Sequence, residues 1–190
     1  MSPLPSDTAL VVIDVQESFR YRPYWDPAEL PPFLDKLQQL VDGARARSMP
    51  VLQVFHVEDA GPFSLASGNV VTMSGLDLTP TAVFYKRSHS ALVGSGLEVW
   101  LIRAGIQRLI VSGIRTEQCC ETTTRHASDL GFQVDYVTEA TLTFAMTDRH
   151  GRVWPPAEIR AATELVLDRR FARIATAEMA LTTIPARRSA

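Results

Sequence analysis

Two cysteines occur in the 190 residues, and they are neighbours, Cys119 and Cys120. A cysteine attacks a carbonyl as thiolate, so it needs a positive environment and a group to take its proton. Cys119 follows the apolar run Leu109, Ile110 and Val111, broken by Ser112 and Gly113. With Thr116 as N-cap, Cys119 falls at the third position of a helix that Gly131 ends. Backbone N–H groups there have no partner within the helix, and the positive end of the helix dipole favours thiolate. Lys86 would hold that thiolate by Coulomb attraction. Asp14 would accept the thiol proton and later return it to a leaving amine. The N–H groups of the turn from Ile114 through Arg115 to Cys119 face the place where a tetrahedral oxyanion would form. These parts make an acyl-transfer site. Each also has a plainer reading, as a turn-capping aspartate, a solvated lysine and a small buried cysteine, and spacing alone leaves both open.

The elements that must position these residues can be read from the hydrophobic pattern. Residues 8–15 (TALVVIDV) form a β-branched run carrying Asp14 at its end. A second strand, 51–57, ends around His56, and a third, 81–85, delivers Lys86. Further strands are expected at 109–111, 132–137 and 171–176. Helical spacing marks 33–47 and 96–104, with Gly105 as the stop of the latter, and another helix begins at Pro156. Between them, residues 17–32 are rich in aromatics and proline, and Phe19, Tyr24 and Trp25 could cover a pocket. Residues 58–80 are the least patterned, and a loop of that length is usually functional or a contact surface. The order β-α-β-loop-β-α-β-α-β-α-β predicts an α/β fold, a three-layer doubly wound sheet of about six mostly parallel strands. Groups at the carboxyl ends of such strands converge on one crevice, and Asp14, His56, Lys86 and Cys119 all fall there.

Bulk properties are those of a globular chain, 46% hydrophobic and 21% charged, consistent with one domain over residues 1–190 and a loose tail after about 185. A net charge of −2 without a basic cluster argues against a nucleic-acid partner. No apolar run approaches a membrane span, and the opening MSPLPSDTAL lacks the pattern of a signal peptide. Adjacent cysteines cannot staple a fold, so a reducing, cytoplasmic setting is expected. The turn after Asp14 has no G-x-G-x-x-G, which weakens a dinucleotide-binding reading.

Three separated signatures carry a resemblance. Asp14-Val15-Gln16, with Phe19 shortly after, resembles D-x-Q. Lys86 followed by Ser90-Ala91-Leu92 resembles K-x-x-x-S-A-F, with Leu92 in place of phenylalanine. Gly113-Ile114-Arg115-Thr116-Glu117-Gln118-Cys119, followed by Thr123 and Ala127, resembles G-V-x-T-x-x-C-V-x-x-T-x-x-x-A, with Cys120 in the second valine's place. Together they resemble the isochorismatase-like cysteine hydrolase superfamily, relatives of nicotinamidase and N-carbamoylsarcosine amidase, over nearly the whole chain. The resemblance implies a triad of Asp14, Lys86 and Cys119, a thioester acyl-enzyme, and Cys120 as a core residue. It further implies a cis peptide between Ile114 and Arg115, and self-association as a dimer or tetramer.

Two departures shape the expected function. Nicotinamidases of the superfamily carry a D-x-H metal motif and a further histidine, whereas this chain has Phe55-His56-Val57-Glu58-Asp59. Two ligands are too few for zinc, so no metal or other cofactor is expected, and His56 reads as a substrate contact or a supporting residue. Arg115 and Glu117 are larger and more charged than in many relatives. They would either face the pocket and favour a polar or zwitterionic substrate, or form salt bridges at a subunit interface. The expected function is therefore hydrolysis of a small-molecule amide or carbamoyl C–N bond, with Phe19, Trp25, His56, Arg115 and Glu117 as candidate substrate-binding residues. Alternatives are an isochorismatase-type enol-ether hydrolase and a non-catalytic, redox-sensing member of the fold.

Overall fold

Strand β1 (Thr8–Ile13) is buried along its whole length, because the run TALVVI offers apolar or β-branched side chains to both faces. It is central in a computed structural model that describes residues 6–182. The expected loose tail after about residue 185 lies outside the described residues. Around β1, the parallel strands β2 (Val51–His56), β3 (Ala82–Lys86), β4 (Arg108–Ile114), β5 (Gln133–Leu142) and β8 (Arg173–Ile174) form a six-stranded sheet in the order β3-β2-β1-β4-β5-β8. Strand order reverses between β1 and β4, which opens a crevice at their carboxyl ends.

Alternation along β1 divides the core. Leu10 and Val12 pack with Phe33, Leu37, Leu40 and Val41 of α1 (Leu30–Ala46) and with Ala177 and Ala180 of α5 (Ala177–Ala180). Ala9, Val11 and Ile13 pack on the other face with Leu97 and Leu101 of α2 (Leu97–Arg103), Ala127 of α3 (Glu121–Asp129) and Leu167 of α4 (Pro156–Leu167). Helices on both faces of a parallel sheet give the three layers expected from the element order.

Several boundaries differ for physical reasons. β1 ends at Ile13 rather than Val15 because Asp14 turns into the left-handed region, at φ 53°. α1 begins at Leu30 and not at Phe33, with Pro31 and Pro32 in its first turn, where the missing N–H costs nothing. Strand β5 runs on to Leu142, and the segment beyond it makes a small antiparallel hairpin, β6 (Met146–Thr147) with β7 (Val153–Trp154), which the pattern did not reveal. Residues 58–80 are not a free loop. They fold back on the 15–18 segment, with Met73 N–H donating to Val15 C=O, Glu17 N–H to Val71 C=O and Ser18 N–H to Asn69 C=O, at 3.0–3.1 Å. Among the described residues no helix is long and apolar enough to cross a membrane.

Candidate active site

The strand order β3-β2-β1-β4 sets Lys86, His56, Asp14 and the β4 turn side by side. Lys86 ends β3 and is in register with His56 at the end of β2. Asp14 follows β1, and its N–H donates to Val54 C=O at 2.8 Å, which fixes the carboxylate against β2. Gly113 brings β4 close beside β1. It sits at φ 130° where the β4–β5 register shifts, and a Cβ on it would overlap the Ile13 carbonyl oxygen. The Ile114–Arg115 peptide that follows is cis.

The helix start differs from the expected one. Arg115, not Thr116, is the N-cap, and Thr116 begins a π-type turn, Thr116–Cys120, in which Cys120 N–H reaches back to Arg115 C=O at 3.2 Å. The Thr116 hydroxyl is occupied elsewhere, 2.8 Å from that of Thr141. Cys119 is therefore the fourth residue of the turn rather than the third, and it is nearly buried.

Lys86 Nζ lies 2.7 Å from Asp14 Oδ2, 3.3 Å from Cys119 Sγ, 3.0 Å from Ser88 C=O and 3.2 Å from His56 Nδ1. Lys86 and Asp14 are both buried. Burial pushes the Asp14 carboxyl above its ordinary range, with Lys86 pulling the other way. Burial also works against the Lys86 ammonium, but its pKa lies above the ordinary lysine value, with the Asp14 carboxylate the largest influence raising it. Burial, then the Asp14 carboxylate, pushes the Cys119 thiol up to about 12 despite Lys86. Burial and the neighbouring carboxylate thus oppose the helix end and the lysine that were expected to favour thiolate. Cys120 is fully buried in the core beside Val111 and Tyr136, with its thiol pushed well above the ordinary range by burial.

The surrounding candidates fall into two groups. Phe19 packs edge-on to Phe63, with ring centres 5.0 Å apart, and Phe63 meets the His56 ring at 5.9 Å. Trp25 instead lies on Phe144 at 5.4 Å. Arg115 and Glu117 face each other: Arg115 Nη2 is 2.9 Å from Glu117 Oε1, and Thr143 Oγ1 donates to Glu117 Oε2 at 2.6 Å. The Arg115 guanidinium also stacks on Tyr24 at 4.8 Å. A groove of about 460 Å³ between Glu117, Trp154, Ile159 and Val166 adjoins this pair, and Asp14, Lys86 and Cys119 do not line it.

Sequence reasoning missed the residues that hold the site. Gln16, fully buried, accepts from His56 N–H through Oε1 at 2.8 Å and donates to His56 C=O through Nε2 at 3.1 Å. The Asp14-Val15-Gln16 signature was the available signal, although a glutamine two residues from the acid does not reveal its partner. Thr123 Oγ1 accepts from Ala91 N–H at 2.9 Å, tying the cysteine helix to the loop that follows Lys86. Ser88 supplies its carbonyl to Lys86. A metal does not fit at the second strand. His56 Nε2 and Glu58 Oε1 are 3.9 Å apart, Glu58 is already engaged by Arg22, and the other imidazole nitrogen faces the Lys86 ammonium. Among the described residues no three His, Cys, Asp or Glu side chains gather to hold a metal ion.

The isochorismatase domain model matches residues 8–164. Nicotinamidase 3 of Arabidopsis thaliana is 30% identical over 152 residues, covering 72% of this chain and 73% of that protein. The ureidoacrylate amidohydrolase RutB of Stutzerimonas stutzeri is 27% identical over 168 residues, covering 69% and 66%. The crystal structure of an isochorismatase-family protein from Chromobacterium violaceum superposes with a TM-score of 0.83 at 29% identity, covering 94% of each chain.

Proposed function

We propose that this chain, which belongs to the isochorismatase family of hydrolases, is a cysteine amidohydrolase that cleaves a small-molecule C–N bond through Asp14, Lys86 and Cys119. One observation carries the reading: a buried lysine ammonium bridges a buried carboxylate at 2.7 Å and a cysteine sulfur at 3.3 Å. A lone structural cysteine needs neither partner. The named activities of the nicotinamidase and amidohydrolase relatives support amide chemistry over enol-ether cleavage.

The steps follow from the charges. Asp14 takes the Cys119 proton as the sulfur bonds to the substrate carbonyl carbon, and Lys86 holds the developing negative charge. N–H groups of the Arg115 to Cys119 turn receive the oxyanion. The C–N bond breaks, Asp14 gives its proton to the leaving nitrogen, and a thioester remains. Water then attacks the thioester with Asp14 accepting its proton, and the sulfur recovers that proton as the acid leaves. No resident cofactor enters this sequence. A redox-sensing reading finds less support, since Cys120 is sealed in the core.

Release of ammonia from a panel of small amides tests the assignment. Cys119→Ala is expected to abolish turnover, and Cys120→Ala to retain most of it. Equal rates for Cys119→Ala and the parent protein would overturn it. Self-association and a cytoplasmic setting, implied by the resemblance and by the cysteine usage, stand as proposals. Light scattering on the purified chain and localisation of the tagged protein test them.

A further inference from the structure

Lys86 has three N–H bonds and four neighbours able to accept them. Ser88 C=O at 3.0 Å accepts one, and Asp14 Oδ2, the charged ion-pair partner at 2.7 Å, has the strongest claim on a second. The third N–H stands between His56 Nδ1 at 3.2 Å and Cys119 Sγ at 3.3 Å. Distance does not decide between them, so the charge on the sulfur must. A thiol sulfur is a weaker acceptor than an imidazole nitrogen, and a thiolate is a stronger one.

We propose that His56 is a positioning residue that takes the third Lys86 N–H while Cys119 is a thiol and releases it to the sulfur as the sulfur becomes anionic. This rests on the cysteine-hydrolase reading above. The fold holds the ring for that task. β2 lies between the strands that carry Lys86 and Asp14, Gln16 grips the His56 backbone at both its N–H and its C=O, and Phe63 meets the ring edge-on.

Nδ1 faces an ammonium, so it must present its lone pair, which leaves the proton on Nε2, toward Glu58 Oε1 at 3.9 Å. The groups facing His56 are Lys86 from β3, Asp14 from the end of β1, Glu58 beyond its own strand and His89 from the loop after β3. Burial first, then Lys86, keeps the ring below the ordinary histidine range and hence neutral, against the opposite pull of Asp14 and Glu58. Lys86 then strengthens its hold on the sulfur only as charge develops there. An interaction made late in this way lowers the barrier rather than the ground state.

The rate at which iodoacetamide alkylates Cys119 at pH 8 in the intact protein reads this competition without a known substrate. His56→Leu and His56→Ala remove the acceptor, so the third N–H stays with the sulfur and favours thiolate. Alkylation is expected to quicken about tenfold, equivalent to about one unit in the thiol pKa. His56→Asn keeps an acceptor near the Nδ1 position and should stay within about twofold of the parent, less than the tenfold of a full pKa unit. Methyl methanethiosulfonate, a reagent of different size, should show the same ratios, because a change in ionisation scales both reagents equally and a change in access does not. The proposal is overturned if neither acceptor-free variant is faster, if the two reagents disagree, or if His56→Asn quickens as much as His56→Leu. Failure of the parent reading looks different: Cys119→Ala would still release ammonia, whatever the alkylation rates.

Discussion

At the scale of single residues, the charge states of three side chains set what the site can do. In the proposed mechanism Asp14 must be ionised to accept the Cys119 proton, and burial raises its pKa in the folded protein. Its function is therefore present above that raised value and lost as pH falls through it, while the pH is still above the ordinary aspartate value of about 3.9. The same proposal requires Lys86 to be charged, and its pKa is also raised, so its contribution would persist up to and beyond the ordinary value of about 10.4. We expect the pH profile of kcat/KM to show an acid limb above about 3.9 and no loss from Lys86 below about 10.4. An acid limb at or below the ordinary aspartate value would remove Asp14 from the role of base. Arg115 and Glu117, either pocket residues or interface salt bridges on sequence grounds, are paired with each other, Arg115 buried against Tyr24 and Glu117 half-buried beside Thr143.

At the scale of elements, the close approach of β1 and β4 brings Cys119, the proposed nucleophile, beside Asp14, its proposed base. Gly113 lies at φ 130°, a region that costs an L-residue of order 1–3 kcal/mol. A Cβ there also meets backbone, 2.7 Å from Ile13 N, so no side-chain rotation relieves it. Gly113→Ala is expected to cost at least about 1–3 kcal/mol, read as a lower urea midpoint. Because Ile13 leads directly into Asp14, Cys119 alkylation should change as well. An unchanged midpoint would mean that the strands separate freely. The Gly113 break was legible in the sequence as an interruption after an apolar run. The strand that it approaches was not, since β1 lies about a hundred residues earlier and only the sheet order makes them neighbours.

At the scale of the whole molecule, Asp135 on β5 fastens the far end of the sheet. It is buried and takes Arg108 from β4 and Arg173 from β8, the latter at 2.8 and 3.0 Å. Arg108 also donates to Ala180 C=O at 2.9 Å and Thr182 C=O at 3.3 Å, so the cluster holds α5 and the chain beyond it. Removing one partner of a buried ion pair strands the other's charge. Asp135→Ala is expected to cost about 3–5 kcal/mol in urea unfolding while leaving Cys119 alkylation in the folded fraction near the parent rate. A loss under about 1 kcal/mol would place the cluster with ordinary surface pairs. The sequence by itself determined the layered α/β class, the strand ends that carry Asp14, His56, Lys86 and Cys119, and the family signatures, because periodicity, turn residues and motif spacing are properties of neighbouring positions along the chain. Only the tertiary structure decided that burial and Asp14 push the Cys119 thiol pKa upward, that Thr116 is not the cap, that Gln16 grips His56, and that His56 and Cys119 share one lysine. Protonation and pairing depend on burial and on charges brought from distant strands, and the order β3-β2-β1-β4 that assembles them is not written in any one of those strands.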